Sequence, residues 1–485
     1  MKEVFDIIAF NIIFYLSLII NLFIILIMII FGKKRPEKTL SWILILIIFP
    51  PLGLILFILL GRNWKINTLD KKSKQKVSNL ITPSLLNKYH ITNEYEPIIN
   101  LLVSNSSSPL FINNTITILD GGARKFEILK RKLLEAKDHI HLEYYIVKND
   151  NIGNEIKDIL IKKSKEGLKV KFIIDKMGSI KLSSGYIKDL KNAGIDVVFY
   201  SYVLAPFFRL INTQVNYRNH RKIVIIDGTI AFLGGINIGD EYLGLGKLGD
   251  WRDCHIMIEG DCVLGLQSVF LDDFSSIKKY NNDQILTLAN IEDYFKNNKF
   301  SGNIPMQLIK SGPDSEFPSI LQCFIKMIST AKESINIITP YFIPSEGLMD
   351  SLKIASLSGI KISLIFPKKA DHFTVNKASQ TYLAELVRAG VKVYLYNNSG
   401  FIHSKILTVD KKICTIGTAN MDIRSFELNY EINTLIYDEG ITQEFNKIFS
   451  DLLISCTEFN LKEYESRSLS NKLIDGISRL LSSIL

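Results

Sequence analysis

The stretch NYRNHRKIVIIDG, residues 216–228, is answered by GFIHSKILTVDKK, residues 400–412. Each contains His-x-Lys-x4-Asp: His220, Lys222 and Asp227 in the first copy, His403, Lys405 and Asp410 in the second. With only seven histidines in 485 residues, chance does not account for two in one pattern. The residues downstream of the two copies agree as well. A Gly-rich turn begins 14 residues after each His (Gly234-Gly235, Gly417-Thr418), and Asn237 and Asn420 each stand 17 residues after it. The run behind each His is short, apolar and β-branched, which predicts a strand. Side chains alternate along a strand, so His and Lys share one face and the Asp takes the other. The Asp is therefore expected to anchor the strand or a nearby loop.

The chain from about residue 111 alternates strand-like and helix-like runs, the pattern of an α/β sandwich. The alternation occurs twice. AKDHIHLEYYI, EGLKVKFIID and NAGIDVVFY precede the first motif, and AKESINIITPYFI, SGIKISLIFP and RAGVKVYLY precede the second. A repeat of about 180 residues is too long for a solenoid and predicts a duplicated domain. The expected fold is two α-β-α sandwich domains about a pseudo-twofold axis, preceded by a two-helix transmembrane hairpin. The expected boundaries are 1–61 for the anchor, 62–110 for a basic linker, 111–300 and 301–460 for the two domains, and 461–485 for a C-terminal amphipathic segment.

The anchor is read from two uncharged runs, residues 7–31 and 40–60, each long enough to cross a bilayer of ~30 Å. The first is too long for a signal-peptide core and no small-residue cleavage site follows it. Pro50-Pro51, midway in the second, predicts a kink or a re-entrant turn. The loop between the runs holds Lys33, Lys34, Arg35 and Lys38, against Lys2, Arg62, Lys65, Lys71, Lys72, Lys74 and Lys76 on the other side. That seven-to-four balance puts the soluble part in the cytoplasm of a multi-pass membrane protein. At the far end, Leu473, Ile474, Ile477, Leu480, Leu481 and Ile484 fall on one helical face, suited either to packing on the body or to the bilayer interface.

A net charge of +9 fits an anionic partner, nucleic acid or acidic lipid. The basic residues are dispersed and the spans would serve no purpose in a nuclease, so membrane lipid is favoured over nucleic acid. Five scattered cysteines without C-x-x-C spacing predict reduced thiols, not a disulfide framework or zinc site.

Two His-Lys-Asn sets that meet suit phosphodiester chemistry. One neutral imidazole attacks phosphorus and the other transfers protons, while Lys222, Lys405, Asn237 and Asn420 hold the non-bridging oxygens. No metal or cofactor is required. Each imidazole needs an acceptor for its second nitrogen. Asp253 and Glu431 are the expected ones, each roughly 30 residues beyond the His of its own copy. His139, His141 and His372 lack such company and are expected to be structural or at the rim. Tyr144 and Tyr341, read as matching positions of the repeat, suit either the cleft or the core.

The paired motifs resemble the phospholipase D superfamily. The strings FLGGINIGDEYLG, DWRDCHIMIEG, ITPYFIPSEG and IGTANMDIRSFELNYEIN, with both motif strings and the N-terminal runs, are similar to the bacterial cardiolipin synthases. The resemblance covers essentially the whole chain. It implies reversible phosphatidyl transfer between two phosphatidylglycerol molecules, yielding cardiolipin and glycerol without nucleotide through a covalent phosphatidyl-histidine. It also implies that His220 and His403 divide the nucleophile and acid–base roles. A hydrolytic phospholipase D, or a transferase using another alcohol, would carry the same motifs.

Overall fold

The computed structural model describes residues 2–31, 36–58, 94–200, 217–280, 291–295, 301–397 and 400–480. Its contacts divide the chain into one unit of residues 1–65 with 201–217 and another of 66–200 with 218–485.

In the first unit, Lys2–Phe31 is a continuous helix whose stretch Ile8–Ile30 has a mean hydropathy of 3.0. It is the one helix among the described residues long and apolar enough to span a bilayer. The second apolar run is not one helix. It divides into Pro36–Ile48 and Pro50–Leu56, with Phe49 out of helical geometry at φ −125°, ψ 66°. The cause is local: Pro50 has no N–H to give the carbonyl of Leu46, four residues back. Asn21 of the long helix supplies the missing donor. Its Nδ2 donates to Leu46 O and to Pro50 O, both at 2.9 Å. The basic residues at 33–35 and 62–76, and the end of the second run at 59–60, lie outside the described residues.

The second unit is built on two mixed sheets. The first half supplies β1 (Asn114–Asp120), β2 (His139–Tyr144), β3 (Lys169–Asp175), β4 (Asp196–Tyr200), β5 (Arg218–Asn219), β6 (Ile223–Ile226), β7 (Ile230–Gly234), β8 (Trp251–Arg252) and β9 (Cys254–Gly260). The second half supplies β10 (Met306–Ser311), β11 (Ser334–Ile338), β12 (Phe342–Ile343), β13 (Lys361–Pro367), β14 (Lys392–Tyr396), β15 (Phe401–Ile402), β16 (Ile406–Val409), β17 (Ile413–Gly417), β18 (Met421–Asp422), β19 (Asn429–Ile436) and β20 (Cys456–Glu458). The first sheet runs β1-β9-β7-β6-β2-β3-β4; the second runs β10-β19-β17-β16-β11-β13-β14 and adds β20 at its edge. The shared order is the duplication seen in three dimensions. In each half the three parallel strands are joined by helical crossovers, Asn151–Lys165 and Ser184–Asn192 in one, Glu346–Leu357 and Phe373–Arg388 in the other. Strands such as β6, all Ile and Val and buried throughout, show why: β-branched side chains fill both faces of a covered sheet.

Within the stretch expected to be a linker, Glu96–Ser106 forms a helix. Its Ile98 and Leu102 enter the core of the second half beside Ile309, Ile320 and Phe324. The segment preceding the first half thus packs on the second, because its apolar spacing gives it a face to bury.

The two halves exchange short strands. β5 pairs in parallel with β19 of the other half, and β15 pairs in parallel with β8. These two exchanges set the functional site.

Candidate active site

Both His-x-Lys-x4-Asp motifs begin at an exchanged strand, and the register decides what each histidine meets. Asn219 is paired with Tyr430, so the next residue, His220, comes opposite Glu431. Ile402 is paired with Arg252, so His403 comes opposite Asp253. Backbone bonds hold both placements, His220 N donating to Tyr430 O at 2.9 Å and His403 N to Arg252 O at 2.8 Å. The side chains are placed accordingly. His220 Nδ1 lies 2.9 and 3.0 Å from the Glu431 oxygens, and His403 Nδ1 lies 2.6 Å from Asp253 Oδ2. The expected carboxylates are therefore the right residues with the pairing crossed. Each histidine takes its acceptor from the opposite half, because parallel exchange carries it away from its own.

Both Nδ1 atoms face carboxylates, that of His403 with Lys405 Nζ also 2.8 Å away, so each ring turns its Nε2 away from its carboxylate. The two rings line one cleft of about 490 Å³ with Tyr145, Arg218, Asn237, Trp251, Tyr341, His372, Asn420 and Asn429. Burial lowers His220 below an ordinary imidazole, Glu431 working against it and Lys222 with it. Burial, reinforced by Lys405, presses His403 down to about 4 against the pull of Asp253. Burial would raise Glu431, but His220, Lys222 and a 2.5 Å bond from Thr418 Oγ1 hold it below the ordinary carboxylate range.

The lysines sit one layer behind the cleft wall. Lys222 Nζ donates to His220 O at 2.6 Å, and Lys405 Nζ donates to His403 O and lies 3.6 Å from Asp253. Burial pushes Lys222 down to about 7 and lowers Lys405 too. Asn237 spends its amide on the protein, accepting from Ile146 N and donating to Tyr242 OH, each at 3.1 Å. The buried side-chain oxygen of Asn420 has no protein partner.

Asp227 and Asp410, which share the motif with the histidines and were expected to anchor the strand or a nearby loop, lie away from the cleft. Each has left-handed backbone, φ 54° and 51°. Asp227 accepts from the backbone N–H of Lys137, Asp138 and His139; Asp410 does so from Lys332, Glu333 and Ser334. A carboxylate that collects three N–H groups pins the start of the neighbouring strand. These matched contacts also align Lys137 with Lys332, so the counterpart of Tyr341 is Ile146 and not Tyr144. Tyr144 is buried in the first core, whereas Tyr341 lines the cleft and donates to Asp371. His139 and His141 are tied together behind the sheet through Gln267, at 3.2 and 2.8 Å. His372 borders the cleft.

Tyr145, whose ring meets His220 edge-on at 4.8 Å, and Trp251, 5.2 Å from the His403 ring, were not expected at the site. Nor was Arg221, buried between His220 and Lys222 and paired with Asp273. No motif marks an aromatic neighbour. Arg221 alone was legible, as a charge inside a run otherwise bound for the interior.

Comparison with known proteins agrees with this architecture. Residues 129–247 and 324–453 match the family model described as cardiolipin synthase, PLD-like domain, and residues 19–62 match a phospholipase D-nuclease N-terminal model. The chain is 41% identical to the major cardiolipin synthase ClsA of Bacillus subtilis, over 97% of this chain and 98% of that protein. The chain belongs to the cardiolipin synthase family. The cardiolipin synthase of Oceanobacillus iheyensis is 38% identical over 97% of this chain and 98% of its own. A crystal structure of the Haemophilus influenzae phosphatidylserine synthase shares the fold, with a TM-score of 0.61 at 15% identity, over 80% of this chain and 100% of that one. As a member of the cardiolipin synthase family, the chain is a phosphatidyltransferase of phospholipid synthesis with a membrane-associated N-terminus.

Proposed function

We propose that the cleft moves a phosphatidyl group from one phosphatidylglycerol to a hydroxyl of a second, through a phosphatidyl-histidine on His220. The crossed His–carboxylate contacts opening on one cleft carry this reading. His220, with its Nδ1–H on Glu431, attacks phosphorus through Nε2. The P–O bond to glycerol breaks as His403 Nε2 delivers its proton to the departing oxygen, and glycerol leaves. The glycerol hydroxyl of a second phosphatidylglycerol then gives its proton to His403 and attacks phosphorus. The P–N bond breaks, cardiolipin forms and His220 is restored.

His403, pressed to about 4, is neutral at pH 7. The phosphodiester anion is the charge that favours its protonation when lipid is bound. Lys222 and Lys405 add positive charge from behind the imidazoles, and Asn420 offers a polar contact at the wall. One diester is exchanged for another, so no nucleotide is called on. The partners are phosphatidylglycerol and anionic membrane lipid, not nucleic acid.

The finer organisation is proposed with it. The domains run from 111 to 300 and from 301 to 460 about a pseudo-twofold axis. The N-terminal hairpin crosses the inner membrane twice, its second crossing broken at Phe49, and the basic residues after it keep the catalytic halves in the cytoplasm.

Labelled phosphatidylglycerol in proteoliposomes tests the transfer. Cardiolipin and glycerol in equal amounts are expected, with a phosphatidyl adduct on the peptide carrying His220. Phosphatidic acid without cardiolipin would show a hydrolase, and an adduct on the His403 peptide would reverse the assigned roles.

A further inference from the structure

The C-terminal helix Leu469–Leu480 is turned inside out. Its buried residues are Asp475 and Ser478, while Leu469, Leu473, Ile477 and Leu480 are 84, 65, 49 and 82% exposed. Those four recur at steps of four, four and three, which places them along one face. The polar face is held against the body. Asp475 accepts from Arg467 and Tyr464 and lies 3.9 Å from Lys377, and Arg479 pairs with Glu385 above the ring of Tyr382. Rolling the helix to bury its leucines would break all of these contacts, so the stripe is fixed outward.

What it faces is indicated by its surroundings. The supporting helix Phe373–Arg388 begins at the cleft, where Asp371, His372 and Val375 form part of the lining. Phe373, at its first position, is 62% exposed, and Lys377 lies over its ring while reaching toward Asp475. The helix that carries the stripe's polar contacts thus bears an exposed apolar side chain of its own where it meets the cleft. Lys368 and Lys369, in the loop leading to that mouth, and Lys472, within the helix, are exposed. An apolar stripe with lysines beside it suits an anionic lipid surface, whereas a second copy of this chain, itself basic, would gain nothing from those charges. The same chain carries a helix of bilayer length, so a bilayer is always within its reach.

We propose that Leu469–Leu480 lies in the headgroup–acyl boundary with its apolar stripe immersed, seating the cleft mouth on the membrane so that lipid headgroups enter without leaving it. The inference rests on the reading that the cleft takes lipids from a bilayer. Leu481 and Ile484, which would extend the stripe, lie outside the described residues.

The full chain in phosphatidylglycerol vesicles provides the test. In Leu473→Trp and Ile477→Trp variants, lipids brominated near the top of the acyl chain should quench the added fluorescence, and aqueous acrylamide should not. Quenching by acrylamide alone would overturn the proposal. Resistance to both quenchers would overturn it too, by showing protein over the stripe. In a second arm, the double variant Leu473→Asp, Ile477→Asp should lose about tenfold in initial rate on bilayer substrate. Its rate on short-chain phosphatidylglycerol dispersed as monomers should stay unchanged. Equal rates on bilayers count against the proposal. If both rates fall together, the variant is misfolded and the quenching result decides. Absence of cardiolipin in both arms of the parent chain would instead sink the transfer reading and leave the quenching result standing.

Discussion

At the scale of single residues, the site turns on two carboxylates in opposite halves. Glu431 faces His220 Nδ1, accepts from Thr418 and, in the proposed transfer, carries the charge that balances a forming imidazolium. Glu431→Gln keeps the shape and removes the charge. Transfer should fall by about 10²-fold or more, with the melting temperature little changed, because such outer partners orient the reacting group. A loss below threefold would show that Glu431 does not act through His220. The pH profile separates the lysine from the histidine. In the proposed mechanism Lys222, pressed to about 7, lends charge to the phosphate only while it holds its proton, so kcat/KM should decline as pH rises through about 7. His220 must be neutral to attack, and its lowered value extends activity to a pH below that of an ordinary imidazole. Lys222→Arg stays charged across this range and should move the alkaline limb upward, even at a reduced maximum. An unmoved limb would assign it to another group.

At the scale of elements, two-residue strands and one asparagine do more than the long helices. β5 and β15 are too short to stand out by pattern, yet their register places both histidines. In the first unit, a single polar side chain within an apolar helix compensates for a proline in its neighbour. Asn21→Leu leaves the Leu46 and Pro50 carbonyls without that donor, and in the proposed two-crossing hairpin lipid offers no replacement. The packed N-terminal helices should lose about 1 kcal/mol. Reversible unfolding of the full chain in mixed detergent would measure it, and an unchanged midpoint would show that the bond does not contribute. Asn21 was readable in the sequence as an oddity, but its partner was not, because the break at Phe49 creates the need.

At the scale of the whole molecule, one chain completes one cleft. Each half brings a histidine that lacks its acceptor and an acceptor that serves the other histidine. If both halves of each site come from a single chain, co-reconstituting His220→Ala with His403→Ala should restore no transfer. Recovery to a quarter of the parent rate would mean that clefts form between chains. The same crossing makes separate evolution of either half costly, since a change in the loop bearing Asp253 is felt at His403.

The spacing of His, Lys, Asn and Asp, the repeat and the first apolar run were legible from residue order. They are local facts: alternation along a strand, turns requiring glycine, and a length matched to a bilayer. The parity that sent Asp227 and Asp410 to the far side needed no more than that. The pairing of His220 with Glu431 and of His403 with Asp253 was decided by the tertiary structure alone. So were the choice of Asn21 as the donor that satisfies the break in the second apolar run, and the outward face of Leu469–Leu480. Each depends on which distant backbone or side chain fills a hydrogen bond, and hydrogen-bond partners of buried polar groups are chosen by the fold, not by sequence separation.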